Sequence, residues 1–283
     1  MSQSLNKVKK RIVTVEATKK LTSAMKLVSS VKFSKLSKEI MIHQDYYHYL
    51  KDLASTCFSA AKVNSLDVPY IKKNEGSQKR LIVVVSSSMG MCGAYNINIK
   101  KLLESEYKKG DELLIIGKNL IQDLEGDNVK INDSFADILD DLSFSNLRTL
   151  SHYLIEKFEE KEYREIILLY TKYQNPISFV PKKSSILPVE FYFDKKSGLN
   201  NGDFEPDLVS FTHKFTRLYI VTDLYFKIFE SYLSEVASRR NAMDNADKNA
   251  KDLIEKLTLE FNKARQASIT QEITEVVNGS ANK

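Results

Sequence analysis

Glycine and proline are scarce in this chain: its 283 residues carry nine Gly and five Pro. Sandwiches and barrels turn every few residues, so the shortage argues against them and for long uninterrupted helices. Cysteine is nearly absent too. Cys57 and Cys92 can build neither a disulfide framework nor a four-ligand zinc site, and a reducing compartment is the simple expectation. No run of about 18 apolar residues occurs, so no bilayer-spanning helix is expected. The first residues are polar and basic without an apolar segment behind them, so no secretory signal is expected either. What remains is an ordinary globular composition, 42% hydrophobic and 28% charged, sufficient for a sizeable core in one or two domains.

The net charge of +5 is mild, but it is unevenly spread. Ten basic residues fall between Met1 and Ile40, opposed by Glu16 and Glu39 alone, a local net of +8 that leaves −3 for the rest. A basic helical arm of this kind suits nucleic acid, anionic lipid or an acidic protein surface, or is simply a solvated helix face.

Three regions follow from pattern. Residues 5–61 contain no Gly or Pro, and Val8, Ile12, Val15, Leu21, Met25, Val28 and Val31 recur mostly three or four apart, a narrow helical stripe. Ala17, Ser23, Ala24, Ser29 and Ser30 leave room for a second helix, so the stripe reads as a coiled-coil seam. The middle region changes period. Leu81–Val85, Leu113–Ile116 and Ile166–Thr171 read as buried strands, and Val189–Phe193, after Pro188, as an edge strand. Helical patterns at 96–108 and 146–160 alternate with them, so a small α/β sheet is predicted. Residues 195–207, with Gly198, Gly202 and Pro206, read as a loop. From 207 to 278 Gly and Pro vanish again, and Ala246, Ala250, Leu253, Leu257, Phe261 and Ala264 form a second alanine-rich seam that Gly279 is expected to stop. Neither helix can bury its seam alone, so each is the natural partner of the other. The expected fold class is α/β: a long antiparallel two-helix coiled coil from the two chain ends plus a central Rossmann-like α/β domain. The expected division is 1–62, 69–206 and 207–283.

Catalytic patterns are largely missing. Gly117-Lys118-Asn119 lacks the upstream Gly and the Ser/Thr of a phosphate-binding loop. The turn Ser86–Gly93 follows a strand and precedes a helix, so it could cradle an anion, but it matches neither GxGxxG nor GxSxG, and no local base would activate a serine or Cys92. His43 and His48 lie five apart, and His152 and His213 are isolated, so structural or surface roles are expected for all four. No catalytic residue, metal ligand or cofactor site is expected.

The segment from Phe261 to Glu275, FNKARQASITQEITE, closely resembles the C-terminal helix of the F-type ATP synthase gamma subunit family. Val15–Val31, with Thr22, Ala24, Met25 and Val28, resembles its N-terminal helix, and Met89–Gly93 followed by Asn96-Ile97-Asn98 its strand–turn–helix motif. Glu205-Pro206-Asp207 and the stretch from Glu235 to Met243 also fit, in the family's order. Ser88-Met89, Asp247 and Gly279-Ser280 depart from the usual pattern.

The resemblance implies a non-catalytic rotor shaft without cofactor. Its partners would be three alpha and three beta subunits, the epsilon subunit and the c ring, with no nucleic acid bound and no insertion into the membrane. It would lie peripherally on the cytoplasmic face of a bacterial membrane, or on the matrix side of an organellar one. Met25, Arg265, Gln266, Thr270 and Glu272 would touch beta, and Glu205 the c ring. Two other functions remain to be weighed: a nucleotide-dependent α/β enzyme working at the Met89–Gly93 turn, and a basic coiled-coil nucleic-acid binder.

Overall fold

A computed structural model describes residues 2–63, 70–124, 129–190, 204–205 and 207–281. Its elements are α1 (Ser2–Val63), β1 (Arg80–Val85), α2 (Tyr95–Glu106), β2 (Glu112–Ile116), α3 (Ile121–Leu124), β3 (Lys130–Asn132), a 3-10 turn (Ala136–Leu139), α4 (Phe144–Glu159), β4 (Glu165–Tyr173), β5 (Phe179–Leu187) and α5 (Leu208–Ala281). They form two compact units, one of Met1–Val31 with Arg239–Lys283, the other of Lys32–Ser238.

In the larger unit the strand order is β3-β2-β1-β4-β5. All pairings are parallel except that of β5, which closes one edge antiparallel to β4. The apolar runs predicted as strands are the three central ones, and β1 and β2 are buried along their whole length, as expected of strands covered on both faces. Period-two alternation sorts their side chains. Ile82, Val84, Leu113, Ile115, Ile167 and Leu169 pack with Ile99 and Leu103 of α2 and with Leu120 and Leu124. Leu81, Val83, Val85, Leu114, Ile116, Ile166 and Leu168 face a larger core of α1 (Leu50–Ala61), α4 (Leu147–Phe158) and α5 (Leu208–Ile228). The terminal helices are therefore one outer layer of the sheet as well as each other's partners. Within this unit the pair runs antiparallel: His43 packs on Phe229 and Tyr47 on Phe226, with the Tyr47 hydroxyl donating to Asp223 at 2.7 Å.

The smaller unit holds the remaining parts of the two helices. Ser23 bonds to the Asp247 carboxylate, and Lys26 pairs with Asp244 at 2.5 Å. Three residues forward on α1 match three residues back on α5, so the pair is antiparallel here too. The α5 seam is as predicted: Ala250 and Leu257 are buried and Ala246, Leu253, Phe261 and Ala264 half-buried.

The α1 seam differs from the prediction between residues 21 and 31. Thr22 and Ser29 are buried there, whereas Leu21, Val28 and Val31 are 57%, 62% and 65% exposed. The apolar stripe is present, but the helix pair buries the neighbouring small polar stripe instead. Short side chains bring the helices close, and Ser23 and Lys26 find carboxylates across the seam. Two boundaries also differ. α5 continues through Gly279 to Ala281, since one helical Gly costs about 1 kcal/mol and does not by itself end a helix. The edge strand is β5, not Val189–Phe193, of which 191–193 lie outside the described residues. Pro181 within β5 hid it from pattern reading, although an edge strand tolerates proline. Most of the expected 195–207 loop also lies outside them.

One glycine is dictated by close approach. Gly117, just after β2, has φ +87°, and a Cβ there would sit 2.3 Å from the Ser86 carbonyl oxygen. Gly117→Ala is therefore expected to cost about 3 kcal/mol or more, read as a lowered urea midpoint in equilibrium unfolding.

Candidate functional site

In an open parallel sheet a ligand binds at the carboxyl ends of the strands, where successive crossovers part to opposite faces. Here that point lies between β1 and β4: the crossover through α2 covers one face and α4 the other. The Met89–Gly93 turn stands at its mouth, so the sequence directs attention to the right place. The crevice is filled by the chain itself. From α5, Ser231 Oγ accepts from Thr171 N at 2.9 Å and meets the Tyr95 hydroxyl at 2.8 Å. Ser234 Oγ donates to Thr171 O at 3.3 Å, and Ser238 Oγ donates to Cys92 O at 2.7 Å. All three serines are buried. Sequence reading missed them, although serines three and then four apart in a helix mark one face meant for close approach.

The turn itself is stitched shut. Asn96 Nδ2 donates to Ser87 Oγ at 2.7 Å and to Asn119 Oδ1 at 2.6 Å, while Ser87 N donates to Asn96 Oδ1 at 3.1 Å. Ser86 Oγ donates to Gly117 O at 2.8 Å. Ser86, Ser87 and Cys92 are buried, and their polar atoms are committed to the fold rather than presented to a substrate. The backbone passes through the left-handed region at Met91 (φ 59°) and Gly93 (φ 61°), which lets the chain double back before α2. Burial beside Glu235 raises the Tyr95 phenol far above its usual range, so it stays a neutral hydrogen-bonding group.

The histidines do not assemble either. His43 packs edge-on against Tyr225 and Phe229, and burial lowers its pKa. His48 bonds to Gln44 O, and His152 and His213 are exposed. Among the described residues no group of three His, Cys, Asp or Glu side chains could hold a metal ion.

The residues expected to contact partners are all on helix surfaces or loops. Met25 is half-buried in the smaller unit. Arg265, Gln266, Thr270 and Glu272 are exposed on α5; Thr270 Oγ1 bonds back to Gln266 O at 3.0 Å. Around them Ile269, Ile273, Val276 and Val277 are also exposed. Glu205 is exposed beside the buried Phe204, just before the α5 N-cap. There Asp207 accepts from Ser210 N at 2.9 Å, a bond that lowers the Asp207 pKa. Of the basic arm, Lys7, Lys9, Lys10 and Arg11 are exposed. Lys26 is tied to Asp244, whose carboxyl Lys248 and Lys26 together lower to about 2.

Fold and site thus define a class: an α/β domain with its ligand crevice occluded, carried on two terminal helices that present exposed apolar and basic residues. A family model described as ATP synthase matches residues 4–282. Curated ATP synthase gamma chains from Mycoplasmopsis pulmonis (37% identical over 98% of this chain and 99% of that one) and Malacoplasma penetrans (38%, 98% of each) are similar along their whole length. A solved chain from the Euglena gracilis mitochondrial ATP synthase rotor shares the fold, with TM-score 0.68 at 16% identity, over 95% of this chain and all of that one. The chain belongs to the ATP synthase gamma family.

One buried acid in the larger unit titrates unusually. Glu230 is 5% exposed, and burial pushes its pKa up to about 7 against opposing pulls from Lys172, Lys182 and Lys227. It lines a groove of about 840 Å³ together with Tyr47, Tyr170, Tyr219 and Phe226. Between the unfolded value of 4.5 and about 7 the folded chain keeps a proton that the unfolded chain has lost. Stability therefore falls as pH rises through that window and levels off above it. Glu230→Gln is expected to flatten this slope, stabilising by up to about 3 kcal/mol at pH 8 and hardly at all at pH 4.5, read from urea unfolding at both.

Proposed function

We infer that this chain is the central shaft of a rotary ATP synthase, itself without catalytic activity. It couples ion flow through a membrane c ring to conformational cycling of nucleotide sites on beta subunits. Its partners are three alpha and three beta subunits, an epsilon subunit and the c ring. It sits peripherally on the cytoplasmic face of a bacterial membrane. Segments 1–62 and 207–283 serve as the shaft and 69–206 as the domain that meets epsilon and the ring.

One observation carries the reading beyond family membership: the outward display of Leu21, Val28 and Val31 from a helix whose buried face there is polar. Apolar side chains turned to solvent along a helix mark a surface that another protein covers. A shaft must also transmit torque without unwinding, which suits two helices with no Pro and a single Gly near one end. In this reading Met25, Arg265, Gln266, Thr270 and Glu272 meet beta, and Glu205 meets the polar loops of the c ring. Exposed ion pairs are worth only about 0–1 kcal/mol each, which fits contacts that are made and broken at every step. The enzyme reading requires space at the switch point, and Ser231, Ser234 and Ser238 take that space.

Tagged chain is expected to copurify alpha, beta and epsilon subunits; recovery of bound DNA or nucleotide in their place defeats the shaft reading. The double change Leu21→Glu, Val28→Glu is expected to leave the Tm of the isolated chain within about 2 °C, since surface changes away from special features stay within about 0.5 kcal/mol. The same change is expected to abolish ATP-driven ion pumping by the reconstituted complex. Undiminished pumping counts against a bearing surface at these residues.

A further inference from the structure

The edge of the sheet opposite the occluded crevice carries a cleft of about 500 Å³ at the start of β1 and β4. Six cations line it (Lys73, Lys79, Arg80, Lys108, Lys109 and Arg164) against the two carboxylates of Asp111 and Glu165. The carboxylates are already engaged. Asp111 accepts from Arg80 Nε at 3.0 Å, and Arg80 also donates to Glu106 O at 2.8 Å. Glu165 is bonded to Lys73 and lies 3.8 Å from Arg80. Lys79 turns to Glu112 at 3.3 Å. Among the described residues the Lys108 and Lys109 side chains have no ion pair, and Arg164 reaches only the neutral Gln78 amide, at 3.4 Å.

The backbones that carry these cations are held fast. The Lys108–Asp111 turn closes on itself: Asp111 N donates to Lys108 O at 3.0 Å, and Lys108 N donates back to Asp111 Oδ2 at 2.8 Å. Gly110 supplies the φ of +102° that the turn needs. Arg80, itself 9% exposed, clamps the same carboxylate from beneath. Arg164 is pinned on both sides, its N–H donating to Lys79 O at 2.7 Å and its carbonyl accepting from Asn74 N at 3.1 Å. Three uncommitted cations on rigid backbone, at the mouth of a cleft with a net excess of four positive charges, form a preorganised acceptor for a multiply charged oxyanion.

We propose that this cleft, through Lys108, Lys109 and Arg164, binds a phosphate-type oxyanion, either free in solution or borne on a lipid headgroup. The inference is independent of the shaft reading, since every residue it uses lies at the sheet's amino-terminal edge. Lys108 and Lys109 are exposed, and among the described residues their side chains make no hydrogen bond or ion pair, so replacing them is expected to leave the fold intact, which circular dichroism verifies.

The full chain at low ionic strength is titrated calorimetrically with inorganic pyrophosphate, and its cosedimentation with phosphatidylcholine vesicles is measured with and without phosphatidylglycerol. Lys108→Ala with Lys109→Ala, and separately Arg164→Gln, are expected to weaken binding by about tenfold or more, and added salt to weaken it further. The control pair Lys9→Ala with Lys10→Ala, on the basic arm, is expected to leave it within about twofold. Binding of pyrophosphate with this pattern assigns a soluble ligand; the same pattern on anionic vesicles alone assigns a headgroup. Absence of binding in both arms, or equal losses in the control pair, overturns the proposal.

Discussion

The fold depends on the antiparallel pairing of α1 and α5. The two helices run antiparallel in both units, and in the larger one they also cover a face of the sheet. What the pairing buries is not uniform. In the unit of Met1–Val31 and Arg239–Lys283 the contact holds Thr22 and Ser29 with the Ser23–Asp247 and Lys26–Asp244 bonds. In the unit of Lys32–Ser238 the same two helices meet through rings, Tyr47 stacked on Phe226 with centroids 4.4 Å apart and His43 against Phe229, and then cover the sheet. Close approach through small polar residues leaves apolar ones free for a surface; bulky aromatic packing builds a core.

The sheet shows how one architecture can lose its usual occupation. Its central parallel strands and its switch point follow the arrangement in which dinucleotides bind, while its turn before α2 lacks the glycine fingerprint. What differs is the ring of hydrogen bonds from Ser231, Ser234 and Ser238 to Thr171, Tyr95 and Cys92. These satisfy backbone groups at the strand ends that would otherwise face a ligand or water. The polar side chains of the turn, Ser87, Asn96 and Asn119, likewise satisfy one another.

Much of the fold is legible in the sequence. The absence of Gly and Pro marked both terminal helices to within a few residues, and three β-branched runs marked the central strands. The seam of α5 was readable because alanine and leucine coincide with the buried face. The seam of α1 departs from its apolar stripe between Leu21 and Val31 because periodicity reports where an apolar stripe lies, not what covers it. β3 is three residues long and β5 holds a proline, so neither rises above the pattern of a loop. The plug of serines lay beyond reach for another reason: its partners are up to 146 residues away in sequence, and only tertiary structure brings them together. The acidic positions were ambiguous in the same way, since nothing local distinguishes the buried Glu230 from the exposed Glu272.

The serine plug also fixes what the domain can sense. The helix that fills the crevice is the one that pairs with α1 and covers the sheet, so any adenylate entering there would have to prise α5 away from both. An adenylate therefore has no room in this crevice while the three serines hold α5 in place.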